Sequence, residues 1–416
     1  MDKHRKEVLI VVYRSLTVGG IESNTYNIMK NALNSNRRVI WICDAHRNIS
    51  PIYSELLTHP NFSEVRVNMS ALNPWIIPNI DIYKDEKAVI LAFSYFHLYY
   101  AYQIRKKYLH NKISVFFIVP HFVGSTIYPE ESFGGLLGKY VNKIVAGQFK
   151  EICKMKSLLF FSDKHVEVFE NKYKIKLIKS KEYVVPILKG RPSFSEEEVL
   201  LRWSQKPFKI VSAGRFEFPH KGYLLGLIKT FAGIREINPE VELHIYGDGP
   251  DEAVLDELLE TIKDPKIRSG IFKNHSVSFD ELMSIFSKSS LNISVAGCAS
   301  RGAAIGLITL PARHYCTDCE VYGYFPESKC MTTESKPGKP VDQYIKEVMS
   351  MDKETYIKYS KAAYDSFNEE FENVSIEFPF DRDNDTSYIP SEKDMCLVKV
   401  IYILQRVYNN IFRIKQ

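Results

Sequence analysis

Two cations follow a short apolar run in the middle of the chain. The run Phe208–Ala213 predicts a buried strand, and Arg215 and Lys221 follow it, each beside a glycine, Gly214 or Gly222. In α/β folds, ligands bind beyond the carboxyl ends of the strands. A guanidinium can form two parallel hydrogen bonds with phosphate oxygens, an ammonium adds a compact charge, and glycine lets the backbone approach closely. The spacing therefore predicts a clamp for a diphosphate.

The next predicted strand, Val241–Tyr246, runs into a turn with two glycines, Gly247-Asp248-Gly249-Pro250. The glycines either allow close approach to the base or ribose of a nucleotide, or they make an ordinary turn, in which Gly, Asp and Pro are common. Together the motifs GR…KG and IYGDGP resemble the donor-binding half of the GT-B retaining glycosyltransferases (glycosyltransferase family 4-like), which act on nucleotide-sugars.

That resemblance implies a fold and a chemistry. The fold is α/β, with two Rossmann-like doubly wound domains facing across a cleft. Gly214, Arg215 and Lys221 match the family's residues that hold the donor diphosphate, and the two cations are implied to stabilise the charge on the leaving phosphate. The Gly-Asp-Gly turn is implied to contact the donor as well. The alternative for Arg215 and Lys221 is a solvated surface loop.

The first predicted strand, Val8–Tyr13, ends in a loop that closes with Gly19 and Gly20 at the start of a predicted helix. Backbone amides at a helix N-terminus attract anions and polar ligands, although a glycine pair by itself usually marks only a turn. The sequence GGIE at this place, followed by a helix and a strand that ends in Asp44, resembles the start of the same family. There the loop lies across the cleft from the donor phosphates.

His121 follows another predicted strand, Ser114–Val119. A histidine at the carboxyl end of a strand can reach a cleft. In the family, a histidine after this strand lies near the transferred sugar and helps to orient it, so the resemblance implies a catalytic role for His121. A loop cap or a core hydrogen bond is the alternative. The rival histidine, His220, is predicted to be a solvated loop residue.

The resemblance breaks down in one place. The family carries two glutamates eight positions apart, one in a loop and one in the following helix. Here Arg301 stands where the second belongs, and the first has no counterpart. We expect Ser300 and Gly302, at the helix start, to contact phosphate through a hydroxyl and an amide, with Arg301 as a third cation. The difference predicts either a divergent enzyme with an altered donor grip or a protein without turnover.

The composition indicates a globular protein. Its 416 residues suffice for two or three domains, and the net charge of +5 suits anionic small molecules or an anionic membrane but is too small to indicate nucleic acid. The seven cysteines show no disulfide framework, and no leader or membrane span is recognisable, so we expect a cytoplasmic protein with reduced thiols. No metal is expected, because a single Cys-x-x-Cys pair with two outlying thiols is a weak zinc pattern: Cys298, Cys316, Cys319 and Cys330.

The chain is predicted to contain four segments. Residues 1–188 form an N-terminal acceptor domain, 189–206 a polar linker and 207–385 the nucleotide-sugar donor domain. Residues 386–416 form an amphipathic basic helix, which packs back on the N-terminal domain or lies on an anionic membrane surface at the inner face of the plasma membrane. Its predicted apolar side comprises Leu397, Ile401, Leu404, Tyr408 and Ile411.

Taken with the resemblance, these features predict a metal-independent hexosyltransferase. It moves a sugar from a UDP- or GDP-sugar to a membrane- or lipid-linked glycan acceptor, with retention of configuration, in bacterial surface polysaccharide biosynthesis. No cofactor is expected, because the nucleotide-sugar is a substrate. Two other functions stay open: a non-catalytic GT-B partner protein, which the absent glutamate pair favours, and a nucleotide-sugar epimerase, which needs no acceptor.

Overall fold

The computed structural model divides the chain into two compact units. Unit 1 contains Met1–Thr17, Ile21–Lys189 and Ser375–Gln416, and unit 2 contains Val18–Gly20 and Gly190–Val374. The structure describes residues 7–17, 19–69, 76–83, 85–108, 112–120, 124–161, 163–177, 183–185, 193–328, 337–370, 377–382 and 389–412.

Unit 1 contains a six-stranded parallel sheet with the order β3-β2-β1-β4-β5-β6. Most of its strands are short apolar runs, as is typical of parallel sheets that are covered on both faces. Its first ten helices and strands are β1 Glu7–Val12, α1 Gly20–Asn34, β2 Arg38–Asp44, β3 Phe62–Val67, β4 Lys87–Ala92, α2 Tyr95–Lys107, β5 Ile113–Val119, α3 Gly135–Lys154, β6 Leu158–Phe160 and α4 Asp163–Tyr173, with 3-10 helices at Pro51–Thr58 and Pro129–Ser132.

The core of unit 1 lies on both faces of this sheet. Along β1, Val8, Ile10 and Val12 belong to one hydrophobic cluster, while Leu9 and Val11 belong to another. All five side chains are fully buried. Since successive strand residues point to opposite faces, a strand that is covered on both sides needs an unbroken apolar run, which is what the sequence contains.

Unit 2 contains a five-stranded parallel sheet with the order β11-β10-β7-β8-β9. The predicted fold class, with two doubly wound parallel α/β sheets, is therefore confirmed. The helices and strands of unit 2 are α5 Glu196–Ser204, β7 Lys209–Ala213, α6 Tyr223–Ile237, β8 Glu242–Tyr246, α7 Glu252–Thr261, α8 Pro265–Arg268, β9 Ile271–Asn274, α9 Phe279–Ser287, β10 Leu291–Ser294, α10 Ala296–Ala304, β11 Thr309–Pro311, β12 Glu320–Val321, α11 Phe325–Ser328, β13 Lys339–Pro340, α12 Val341–Ser350 and α13 Lys353–Glu370.

Helix α5 lies in the segment that the sequence predicts as a linker. Ser195 caps it by accepting a hydrogen bond from the Glu198 amide at 3.3 Å. The run of glutamates occupies its first turn, where negative charge is favourable. Val199 is fully buried in the core of unit 2. The glutamates that suggest a solvated connection therefore start a helix whose other side is packed.

The last helix, α14 Glu392–Phe412, packs on unit 1. Of its predicted apolar side, Ile401 is buried but Leu404 is 38% exposed, and the side chain of Ile411 lies outside the described residues. The helix has apolar residues on two sides, so periodicity alone does not decide which side packs. Within the described ranges, no helix is both long and apolar enough to span a bilayer. The buried apolar residues of α14 are Met395, Val398 and Ile401, and the exposed ones are Val400, Ile403, Leu404 and Val407.

Two loops at the carboxyl edge of the unit 2 sheet pair through their backbones. The Phe216 amide, after β7, donates to the Asp248 carbonyl, after β8, at 3.0 Å. A β-carbon at Gly247 would lie 2.0 Å from the Gly214 oxygen, and one at Gly249 would lie 2.1 Å from the Phe216 oxygen. Both glycines are therefore required for the approach of one loop to the other.

The pairing of these loops predicts the effect of Gly249→Ala. The added methyl group forces the two backbones apart, so we expect the free energy of unfolding, measured by urea denaturation, to fall by about 1–3 kcal/mol. The control is Gly233→Ala in α6, where a β-carbon meets nothing within 4 Å and should stabilise the helix by about 1 kcal/mol. Equal stability of the two variants would contradict the pairing.

Candidate functional site

The predicted cations lie at the carboxyl edge of the unit 2 sheet. From β7 the chain adds β8 and β9 on one side of the sheet, and β10 and β11 on the other. The strand order therefore reverses between β7 and β10, and the loops that diverge at such a switch point leave a crevice for a ligand. The loop after β7 contains Arg215 and Lys221, and α10 begins directly after β10.

The Lys221 side chain is partly buried at this switch point. Its Nζ lies 3.5 Å from Nε2 of His314, and none of the described carboxylates makes an ion pair with it. Burial lowers the pKa of Lys221 from 10.5 to about 8, against the smaller opposing effects of Cys298 and Glu217. At neutral pH the ammonium is therefore charged but poorly solvated, which favours an anionic ligand.

Two stacked imidazole rings lie beside Lys221. The ring of His314, a buried residue, lies 5.1 Å from the ring of His220, at an interplanar angle of 16°. The Tyr315 ring also lies 5.1 Å from His220, and the Tyr315 amide donates to the His220 carbonyl at 3.2 Å. His220 is therefore half-buried against the loop after β11 rather than solvated as predicted. The sequence analysis misses His314, which its place shortly after an apolar strand could have revealed.

Arg215 is more open than Lys221. Its side chain is 40% exposed, and its Nε lies 3.7 Å from Oε2 of Glu217, whose side chain is 45% exposed. An ion pair between two such exposed side chains stabilises a protein by about 0–1 kcal/mol. The guanidinium can therefore exchange the Glu217 carboxylate for a phosphate at little cost. The buried neighbour Phe216 anchors the loop that carries it.

Helix α10 brings its N-terminus to the same switch point. It begins at Ala296, and Val295 before it provides no side-chain cap. A β-carbon at Gly297 would meet nothing within 4 Å, so the space beside this first turn is open. Backbone amides at the start of a helix favour an anion. Cys298 in the same turn is close enough to influence the pKa of Lys221.

The residues expected at the start of α10 lie further along it. Ser300 is its fifth residue and Arg301 lies in its last turn, so neither Ser300 nor Gly302 is at the helix start. A β-carbon at Gly302 would lie 2.5 Å from Nδ2 of Asn292, which means that this glycine lets α10 pack on β10. The Arg301 guanidinium lies over the Phe279 ring, 4.8 Å from its centroid.

Asp248 connects the loops after β8 and β9. The Ser276 amide donates to its carboxylate at 3.0 Å, and Nδ1 of His275 lies 3.1 Å from the other oxygen. Burial opposes the charge of Asp248, but these contacts outweigh it and hold its pKa below the ordinary value. The charged Asp248 carboxylate thus stabilises the contact between the two loops, and its contact with a donor stays a prediction.

The predicted glycines of the first loop are accessible. Gly20 begins α1 and is exposed, and Gly19 precedes it in a bend. A β-carbon at Gly20 would meet nothing within 4 Å. His121, the third predicted residue from this part of the chain, lies outside the described residues.

The clustered cysteines are free thiols where the structure describes them. Cys298 and Cys316 are partly buried and Cys319 is buried, and burial raises the pKa of the Cys319 thiol. Cys330 lies outside the described residues. In the described part of the chain, no three or more His, Cys, Asp or Glu side chains are arranged to hold a metal ion.

The partly buried ammonium predicts a stability effect. Between pH about 8 and 10.5 the unfolded chain keeps the Lys221 proton that the folded chain has lost, so below pH 8 the folded protein carries the full cost of the charge. We expect Lys221→Met to raise the free energy of unfolding at neutral pH by on the order of 1–2 kcal/mol, an advantage that narrows above pH 8. Urea denaturation at neutral pH and above pH 8 measures the difference in free energy of unfolding between the variant and the wild-type protein. Lys229→Met, at an exposed position of α6, is the control and should show no such trend.

Comparison with known proteins identifies solved structures with this fold. Neither a protein-family model nor a curated protein sequence matches the chain. HepE from Anabaena, solved with UDP and glucose, has a TM-score of 0.57 at 12% identity, over 88% of this chain and 96% of that one. A glycosyltransferase from Rickettsia africae has a TM-score of 0.58 at 14% identity, over 98% and 99%. WaaG, a glycosyltransferase involved in lipopolysaccharide biosynthesis, has a TM-score of 0.50 at 11% identity, over 86% and 95%. The two parallel α/β sheets of this chain therefore have the fold of the GT-B glycosyltransferases.

Proposed function

We propose that the protein is a glycosyltransferase that binds a nucleotide-sugar at the switch point of unit 2. The observation that carries this proposal is the environment of Lys221. An ammonium that is partly buried without a carboxylate partner costs folding free energy, and groups with such perturbed pKa values cluster at functional sites. Together with Arg215 and the open first turn of α10, it provides positive groups for two adjacent phosphates.

UDP is the nucleotide that we propose first. HepE, which has the same fold, is solved with UDP and also with UDP-glucose. The positive groups described here recognise only the diphosphate, and no described contact selects the base. The competing nucleotide is GDP, which presents the same two phosphates, and thermal unfolding with UDP and with GDP measures the base preference.

The proposed transfer uses these positive groups on the leaving side. The bond between the anomeric carbon and the β-phosphate oxygen breaks, and its electron pair stays on that oxygen. Lys221, Arg215 and the α10 amides stabilise the negative charge as it develops. The acceptor hydroxyl attacks from the same face and passes its proton to the leaving phosphate. The configuration is then retained, and neither a strong side-chain base nor a divalent metal is needed.

We further propose that the acceptor is a lipid-linked or membrane-bound glycan, as in the synthesis of a bacterial surface polysaccharide. Support comes from exposed apolar side chains in unit 1. The outer side of α14 exposes four of them beside Lys399, and the first turns of α3 expose Leu136, Leu137 and Tyr140 beside Lys139 and Lys143. Phe133, just before α3, contacts Tyr408 of α14, with ring centroids 5.8 Å apart. Apolar side chains flanked by lysines fit an anionic membrane surface.

A non-catalytic nucleotide-sugar-binding protein is the second candidate. The sequence lacks the two glutamates of the family, and the arginine at the second position lies in the last turn of α10 over Phe279. A protein of this kind binds UDP or a UDP-sugar but neither transfers nor hydrolyses the sugar. Product analysis separates the candidates. A transferase yields a glycosylated acceptor, a binding protein yields no product, and an epimerase converts the donor alone into a second nucleotide-sugar.

The proposed donor site predicts which variants lose nucleotide binding. UDP should raise the thermal unfolding temperature of the wild-type protein, and Arg215→Ala together with Lys221→Ala should abolish that shift. Loss of each charged contact costs about 1.5–3 kcal/mol, which is about 10- to 100-fold in affinity. The matched control is Arg235→Ala with Lys229→Ala in α6, away from the carboxyl edge, which should keep the shift.

The pH dependence of binding is the second arm of this experiment. The Lys221 charge is lost as pH rises through about 8, so UDP affinity should begin to fall there, although an ordinary lysine stays charged until about pH 10.4. The Lys221→Met variant should lack this alkaline fall. If UDP still raises the unfolding temperature of the double alanine variant by the wild-type amount, the site is refuted.

The membrane proposal predicts the behaviour of α14 variants. The wild-type protein should cosediment with phosphatidylglycerol vesicles and less with phosphatidylcholine vesicles. Ile403→Asp with Val407→Asp should weaken that binding more than 10-fold, since burial of each apolar side chain contributes about 1.5–3 kcal/mol. The control is Leu201→Asp, at a position of α5 that is 65% exposed. If the α14 variant sediments like wild type, α14 does not contact the membrane.

A further inference from the structure

The sheet of unit 1 has a switch point of its own. Its order β3-β2-β1-β4-β5-β6 reverses between β1 and β4, so the loops after these two strands border a crevice. Three ionisable side chains come from neighbouring strand ends at this edge. Arg14 follows β1, Asp44 ends β2, and His97 lies in the first turn of α2, after β4.

Arg14 and Asp44 form an ion pair with one exposed and one buried partner. The Asp44 side chain is 1% exposed and the Arg14 side chain 65%, and Oδ2 of Asp44 lies 3.5 Å from Nε of Arg14. The Asp44 amide donates to the Arg14 carbonyl at 3.1 Å, and its Oδ1 accepts from the His46 amide at 2.9 Å. These contacts hold the loop after β1 against the end of β2. They also cancel the charge of the guanidinium.

His97 has a ring nitrogen that the described residues leave without a hydrogen bond. Its backbone is fixed, because its amide donates to Oγ of the helix cap Ser94 at 3.2 Å. Its Nδ1 is enclosed and has no partner among the described residues, while the residue as a whole is only partly buried. Burial lowers the pKa of His97 to about 4, with Arg14 adding to the effect and Asp44 opposing it. The ring is therefore neutral at physiological pH.

The position of the single ring proton follows from the enclosed nitrogen. An enclosed N–H without an acceptor costs more than an enclosed lone pair, and orphaned N–H groups are the rarer of the two in proteins. The lone pair therefore belongs on Nδ1 and the proton on Nε2. His97 presents a neutral N–H donor at the switch point.

We propose that His97, through Nε2–H, donates a hydrogen bond to a hydroxyl oxygen of the acceptor sugar at the switch point of unit 1. This inference rests on the proposed function and names the acceptor chemistry. The charges at this edge favour a neutral ligand. The buried Asp44 balances Arg14, and the Glu22 carboxylate, which accepts a hydrogen bond from Tyr13 at 2.9 Å, adds a negative charge. Among the described residues at this edge, the two carboxylates disfavour a phosphate, whereas a sugar hydroxyl fits a neutral donor.

The first test reads the histidine directly. In protein labelled with 15N and 13C at its 11 histidines, the His97 signals are assigned by their loss in His97→Gln. We expect the 15N shifts of the Nε2–H tautomer. Methyl glycosides of glucose, galactose, mannose and N-acetylglucosamine are then added without nucleotide, and at least one should move the His97 Nε2 signal. Because no nucleotide is present, a failure of the proposed donor site does not affect this result.

The second test uses transfer from UDP-glucose to the glycoside that moves the signal. His97→Phe, which keeps an aromatic ring but removes the N–H donor, should raise the KM for that glycoside about 10-fold or more, with UDP binding as in wild type. His59→Phe, in a loop of the same unit, should keep the wild-type KM. The proposal is overturned if none of the four glycosides moves the His97 signal, if the proton is found on Nδ1, or if His97→Phe keeps the wild-type KM.

Discussion

The Lys221 ammonium lies 3.5 Å from a buried imidazole and forms no ion pair with any carboxylate that the structure describes. The loops around this ammonium are held in place by their own contacts. The loop after β7 pairs with the loop after β8 through backbone hydrogen bonds, and two glycines allow that contact. The loop after β11 adds the stacked rings of His314 and His220. An unpaired, poorly solvated cation held by so many contacts is what an anion site requires.

The two sheets follow one topological rule but carry different charges at their switch points. In unit 2, Lys221, Arg215 and the first turn of α10, to which Val295 provides no side-chain cap, make the crevice positive. In unit 1, Arg14 is paired with the buried Asp44, and the neighbouring His97 is neutral. Under the two proposals, the first crevice takes the diphosphate of the donor and the second an uncharged hydroxyl of the acceptor.

Helix α10 has the position expected from the family resemblance but different side chains. It follows its strand as in the resembling family, yet it contains no carboxylate. Gly302 packs against Asn292 of β10, so the second half of the helix is committed to the core. Its first turn, around Gly297, borders open space. Under the proposed function, the donor is therefore held mainly through its phosphates and less through its sugar.

The sequence by itself determined the two doubly wound sheets, because strands covered on both faces need unbroken apolar runs such as Val8–Val12. It also placed Arg215 and Lys221 after a strand. Only the tertiary structure decided that Lys221 is partly buried while Arg215 is open, and that Ser300 lies inside α10. It also placed His97 at the edge of the unit 1 sheet and, separately, His314 beside Lys221 at the edge of the unit 2 sheet. Periodicity and turn residues are local, whereas the solvation of a side chain depends on neighbours far along the chain, as Lys221 and His314 are 93 residues apart.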